Sequence, residues 1–556
     1  MSGRIVGISG TTVLAEISGT GLYELVLVGD ARMAGEVIKI EGGRAFVQVF
    51  EDTRGLGIGE EVIGTGNPLT VTLGPGLLGN IYDGLQRPLE RLRAESGPFI
   101  RNVSGLAPLD VERKWEYRSA KSTGERVKNG EVLGYFEEGE FAHPVTFHGQ
   151  DGEIERAAEG RVTVEAVLAE LKDGRKILGN TRWSVRKARP YRRKLTLGEP
   201  LVTGQRIIDF LYPVARGGTA IMPGGFGTGK TILEQSIAKF ADVDIVIYVG
   251  CGERGNEMTD LIEEFGALKD RRTEKKLMQR TILVANTSNM PVAARESSIY
   301  TGVAMGEYYR DMGYHVLLLA DSLSRWAEAL REISSSLGEM PGEEAYPAYL
   351  ASQISAFFER AGAVETLSGE KGSLTMICSV SPPGGDFTEP VTQACFRVAG
   401  GSLMLDTSLA HQRHFPAINW SQSYSLYRRD LREYFTERYS EHWEDLYGRV
   451  QEILRQEARL QEITEIVGYE GLRDADRLVM ETAKRLRIEF LQQNAYSDDA
   501  FCPPEKTLSM LEGIMEFHDS ASRKLEQGRG LEEILAEARK DGAGEEGEKR
   551  NGEEGE

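Results

Sequence analysis

The stretch Gly224-Gly225-Phe226-Gly227-Thr228-Gly229-Lys230-Thr231 constrains the fold more than any other. It fits G-x-x-x-x-G-K-[ST] and lies between an apolar run, Thr219 to Met222, and a helix-like segment, Ile232 to Phe240. Glycines let the backbone wrap a polyphosphate with its N–H groups turned inward, and the helix that follows aims its positive end at the same charge. Lys230 then reaches the β- and γ-phosphates, and the Thr231 hydroxyl ligates Mg²⁺. Without the flanking strand and helix, the same letters describe only a glycine turn.

Two further segments bring carboxylates toward this loop. His315 to Ala320 is a hydrophobic run ending in Asp321, as expected of a strand that delivers an acid to the Mg²⁺ shell. If a helix starts at Ser322, Arg325 lies one turn on and faces the same phosphates. The run Asp244 to Gly250 leads into Cys251-Gly252-Glu253-Arg254-Gly255-Asn256-Glu257. Glu253, at the end of a strand beside the loop, is placed to orient a water for attack on the γ-phosphate. Arg254 supplies a neighbouring cation, and Glu257 holds a Mg²⁺-bound water. Taken apart from the loop, Asp321 is an acid after a strand, Arg325 a surface arginine and Glu253 a polar loop residue. Cys251 has no partner pattern and reads as packing.

At 556 residues the chain is too long for one core. Short alternating runs with Gly or Asp turns over residues 1–70 predict a small β-barrel, and residues 71–95 a connector. Residues 96–189 form an extra β-rich block, with strand-turn signals at Gly130 to Tyr135 and Gly160 to Val164. Over residues 190–422 strands and helices alternate, predicting a parallel P-loop (RecA-like) α/β domain; Ile245 to Val249, Ile282 to Ala285, Val316 to Ala320 and Leu374 to Val380 suit strands covered on both faces. Helical periodicity takes over for residues 423–540. Residues 541–556, with seven acids and five glycines, read as a disordered acidic tail.

Composition removes several classes. A formal net charge of −20 disfavours binding a nucleic acid backbone. Cys251, Cys378, Cys395 and Cys502 are widely spaced, so neither a zinc site nor a disulfide framework is indicated, and a reducing cytosol is the natural setting. No apolar run approaches the length of a membrane span.

Taken together, five segments are specific enough to name a family. Val249 to Asp260, Ala285 to Glu296, Asp321 to Ser334, Ser381 to Phe387 and Arg413 to Trp420 resemble the catalytic A subunit of V-type/A-type rotary ATPases. The similarity runs from the N-terminal barrel to about Pro504, and the block 96–189 resembles the extra domain of that family. The resemblance implies that Lys230 and Thr231 bind phosphate and Mg²⁺, Glu253 positions the water, Arg254 and Arg325 contact phosphate, and Asp321 serves the metal. It assigns Phe415 to stacking on adenine and Tyr496 to the other wall of the base pocket; each also reads as a core aromatic.

By the same resemblance, three such chains alternate with three B subunits in an A3B3 ring around a central stalk, with a peripheral stalk and a membrane sector that moves protons or sodium ions. The complex sits on the cytoplasmic, inner face of the cell membrane, and Gly468 to Arg477 is the candidate turn toward the stalk.

Departures from the family pattern are few. Gly225 replaces a proline and Thr228 a serine; eukaryotic members often carry cysteine at the latter position, so a thiol switch cannot operate here. Val398 to Leu405 replaces a more aromatic run, which predicts looser packing behind the base pocket. Two alternatives stand beside the catalytic reading: a hexameric P-loop RNA translocase, which requires a basic or aromatic RNA-stacking surface, and a non-catalytic nucleotide-binding ring subunit, which would lack Lys230 or Glu253.

Overall fold

A computed structural model describes residues 1–97 and 106–538; the acidic tail lies outside the described residues. Six strands from Ser2–Ser9 to Glu61–Pro68 close into an antiparallel barrel. Their alternation turns Ile5, Val13, Val26, Val37, Val47 and Val62 inward as its core. The strands Thr12–Glu16 and Glu61–Pro68, not singled out from the sequence, are the ones that pair with Ser2–Ser9 on either side.

The extra block folds into two four-stranded antiparallel sheets. One has its own small core of Val127, Leu133, Phe147, Ile154 and Leu171. The other buries Trp115, Tyr117 and Phe136 into the same apolar cluster as the nucleotide domain. His143 Nε2 lies 2.7 Å from the Tyr308 hydroxyl across that boundary, so the block is docked and not merely tethered.

The central domain carries the site. Its elements are β1 (Thr219–Pro223), α1 (Lys230–Phe240), β2 (Ile245–Glu253), α2 (Gly255–Ala267), β3 (Thr281–Thr287), α3 (Val292–Arg310), β4 (His315–Asp321), α4 (Leu323–Ser336) and β5 (Lys371–Val380). The five strands are parallel in the order β1-β5-β4-β2-β3. Nearly every strand residue is buried, as near-continuous apolar runs with helices on both faces require. The connector is more than a link: Ile81–Tyr82 pairs with β3 and extends the sheet edge.

The C-terminal helices Arg428–Arg438 and Trp443–Val467 are clamped by Phe435 stacked on Trp443, 4.7 Å apart at 5°. Helix Asp474–Arg485 runs into a π-helical turn, Leu486–Leu491, after which the chain swings back toward α1. Buried Arg206 sets that return, donating from Nε to the Phe490 carbonyl (2.7 Å) and from Nη2 to that of Gln492 (2.6 Å).

Val398 to Leu405 does not loosen the base pocket. Leu403 and Leu405 are buried, and their N–H groups donate to the Ile221 and Pro223 carbonyls (both 2.8 Å), so the run packs along β1 and braces the glycine loop.

Candidate active site

β1 ends at Pro223, and the chain turns through the glycine loop into α1. The Gly224 N–H donates to the Val380 carbonyl (3.0 Å), tying the loop's start to β5. A Cβ at Gly224 would stand 2.7 Å from the Leu405 Cβ, so only hydrogen fits. Gly229 has φ +82°, the left-handed conformation that lets the loop reverse directly into the helix. The Lys230 ammonium donates to the Gly224 (2.5 Å) and Gly225 (3.2 Å) carbonyls, and Thr228 Oγ1 donates to Gly225 (2.9 Å). Gly227 leaves open space, Phe226 projects from the tip 85% exposed, and Thr231 sits exposed in the first turn of α1.

β2 and β4 are neighbours, with Gly250 in register with Asp321, so Glu253 and Asp321 come off adjoining strand ends beside the loop. That is where open parallel sheets bind ligands. Burial pushes Asp321 up to about 8, with Glu234 adding to the shift and Lys230 opposing it. Burial also pushes Glu253 up to about 8, with Asp321 and Glu257 adding and Arg325 opposing. Lys230 is lowered by its own burial against the pull of Asp321, Glu234 and Glu253. The cluster is therefore short of positive charge, which suits a divalent cation. Among the described residues no group of three or more His, Cys, Asp or Glu makes a metal cage. One carboxylate and one hydroxyl are nonetheless the hard oxygens Mg²⁺ takes when phosphates and waters complete its shell.

Arg325 lies in the first turn of α4, as expected from a helix beginning after Ser322, with Nη1 donating to both Glu328 oxygens (3.1 and 3.0 Å). Arg254 faces outward, its side chain 66% exposed, 3.8 Å from Glu257 and 5.6 Å from the centre of the Phe226 ring. Arg295 of α3 was not singled out from the sequence. It packs beside Gly252 opposite Arg325, and its Nε is buried without a partner. The Ala-Ala-Arg-Glu segment around it was the available signal.

On the other side of Gly229 opens a cavity of about 290 Å³, lined by Ile232, Leu233, Phe415, Pro416, Gln493 and Tyr496 among others. Phe415 is 39% and Tyr496 82% exposed. The two aromatics therefore face a shared space and neither is core. The Gln493 N–H donates to the Phe415 carbonyl (2.8 Å), fixing one wall to the other. A larger cavity, about 910 Å³ and lined by Tyr308 and Asp311, lies under the extra domain away from these residues.

Comparison with known proteins accounts for every domain. Family models match as the ATP synthase alpha/beta family beta-barrel domain over residues 5–66, the ATPsynthase alpha/beta subunit barrel-sandwich domain over 106–186, the ATP synthase alpha/beta family nucleotide-binding domain over 204–425, and the C-terminal domain of V and A type ATP synthase over 432–535. The catalytic-ring A subunit of the Methanopyrus kandleri A-type ATP synthase is 52% identical over 546 residues, 96% of this chain and 92% of that one. This chain belongs to the A-subunit, or alpha-chain, family of A-type and V-type ATP synthases.

Two other family members agree. The second A subunit of the A-type ATP synthase in Methanospirillum hungatei is 50% identical over 96% of this chain and 93% of its own. The V-type ATP synthase alpha chain 1 of Clostridium tetani is 49% identical over 96% and 92%. In fold, the assembled ATPase EscN of the enteropathogenic E. coli type III secretion system superposes with a TM-score of 0.68 over 92% of this chain and 99% of that one, at 22% identity. Membership of the A-subunit family makes the chain a catalytic, nucleotide-handling part of a multisubunit rotary complex, and it displaces the RNA-translocase and non-catalytic readings. No helix among the described residues is long and apolar enough to cross a membrane.

Proposed function

We propose that this subunit interconverts Mg-ATP with ADP and phosphate through Lys230, Thr231, Glu253, Arg254, Glu257, Asp321 and Arg325, with adenine held between Phe415 and Tyr496. The observation that carries this is the gathering of Lys230, Asp321 and Glu253 at adjoining strand ends, continuous across Gly229 with the aromatic cavity. The loop N–H groups and Lys230 bind the phosphates, while Thr231 and Asp321 hold Mg²⁺, which when bound neutralises charge between the β- and γ-phosphates. The Glu253 carboxylate orients the attacking water, and Arg325 balances its charge. Glu257 works through a metal-bound water, and Arg254, at the open edge, closes over the phosphates.

The chain alternates with B subunits in an A3B3 ring, meets central and peripheral stalks, and works on the cytoplasmic, inner face of the cell membrane in a complex that moves protons or sodium ions. Ile466 and Val467, 86% and 54% exposed just before Gly468, support a stalk-facing role for that turn. A second, transition-state arginine comes from the B neighbour.

The test is hydrolysis by the purified chain with and without its B partner. Weak turnover alone, rising about a thousandfold or more in the ring, is expected from an arginine supplied in trans; full turnover by the isolated chain would overturn the shared site.

A further inference from the structure

Glu234 lies one turn beyond Lys230 on α1 and is fully buried under the sheet. Ser379 Oγ on β5 donates to one of its oxygens. The Tyr248 hydroxyl on β2 donates to the other at 2.9 Å. That same hydroxyl is 3.4 Å from Asp321 Oδ2 on β4. Tyr248 is held in place edge-on against Phe265, ring centres 5.7 Å apart. One helix and three strands thus meet in a single hydrogen-bonded chain behind the phosphate loop.

Placing a carboxylate there is expensive, and an apolar side chain would fill the same space beneath a sheet without the desolvation cost. What the carboxylate adds is direction. Two hydroxyl protons serve four carboxylate oxygens, and the phenol has one proton to share between Glu234 and Asp321. Lys230 meanwhile bonds to the loop carbonyls, so Tyr248 is the side-chain hydrogen-bond partner of Asp321 among the described residues.

We propose that Glu234 and Tyr248 are positioning residues for Asp321, setting the orientation of the metal-side carboxylate from behind the sheet through a hydroxyl that touches neither nucleotide nor metal. The proposal rests on Asp321 being the metal-side acid. Outer-shell partners of this kind typically change metal affinity by ten- to hundredfold when removed.

The experiment measures binding of a fluorescent ADP to the full chain with Mg²⁺ and with EDTA, for wild type, Y248F, E234L, E234Q and D321N. The ratio of the two dissociation constants isolates the metal's share. Y248F and E234L are expected to cut that ratio by roughly tenfold while the metal-free constant stays unchanged, which a loss of packing alone would not do. E234Q keeps the ratio, because its carbonyl still accepts from Ser379 while its amide donates to the Tyr248 oxygen, leaving the phenol proton for Asp321. D321N removes the metal's share altogether. If E234L does not fold, Y248F carries the test. A wild-type ratio in Y248F beside a collapsed ratio in D321N would overturn the relay; a wild-type ratio in D321N would overturn the reading of Asp321 on which it rests.

Discussion

A Cβ built on Gly229 would stand 3.3 Å from the Phe415 ring, so the last turn of the phosphate loop and the wall of the base cavity are in contact. Phosphate and base sites are therefore two ends of one groove, and side chains at either end act on the same ligand.

At the base end, Phe415→Ala should weaken ATP binding roughly tenfold, the value of one ring face against a base, with kcat little changed. Phe415→Trp should retain affinity. Tyr496→Ala should lose less, since that ring is 82% exposed and covers the base from one side only. Nucleotide titration of the three variants checks the order.

At the phosphate end, Gly252 has φ +77°, and a Cβ there would press on Arg325 Cβ at 2.8 Å and Arg295 Cδ at 3.0 Å. Gly252→Ala should displace both arginines and the adjoining Glu253. Turnover in the ring should fall about a hundredfold, as a misplacement near 1 Å produces, while the backbone conformation costs about 1–3 kcal/mol of stability. Parallel assays of hydrolysis and thermal unfolding separate the two effects.

The raised Glu253 sets the direction of the pH response. A water-orienting acid works as the carboxylate, and burial holds Glu253 protonated up to about 8. Because kcat/KM reports the free enzyme, it should rise with pH and level off above about 8. The same shift acts oppositely on folding. A carboxyl whose pKa is higher folded than unfolded contributes stability below its ordinary 4.5, and that contribution is lost as pH rises through about 8. Profiles of kcat/KM and of melting temperature in the absence of nucleotide should therefore slope in opposite directions over that window.

Away from the site, Glu307 on α3 is fully buried and accepts from Arg360 Nε (3.0 Å) and Nη2 (2.6 Å) and from the Arg189 N–H (3.1 Å). Glu307→Ala strands Arg360 in the interior and should cost about 3–5 kcal/mol. Glu307→Leu combined with Arg360→Met should recover much of that loss, since the interior then holds no unpaired charge. Chemical unfolding of the single and double variants measures the difference.

How much of this was legible in the sequence follows from what kind of contact each residue makes. Ile245 to Val249 and Val316 to Ala320 read directly as buried strands, because a run covered on both faces must be apolar throughout. The glycine loop read directly as well, since its backbone demands leave few other letters. Contacts between side chains and distant backbone have no period and were not legible. Arg206 bonding to Phe490 and Gln492, Ile81–Tyr82 joining β3, and Arg295 beside Gly252 all depend on how elements pack after they form. Glu234 is the instructive case. On periodicity alone it is one polar position in an amphipathic helix, and only the arrival of Tyr248 and Ser379 from two strands shows that it points inward.

The central claim is that Glu253 activates the water and does not merely hold the nucleotide. Single-turnover hydrolysis by the reconstituted ring carrying Glu253→Gln, measured beside nucleotide affinity in the same ring, tests it most directly. The account predicts affinity within about twofold of wild type and hydrolysis slowed by roughly a hundredfold or more, the range of a lost general-base or water-orienting group. Hydrolysis at the wild-type rate, or affinity and rate falling together, would contradict it.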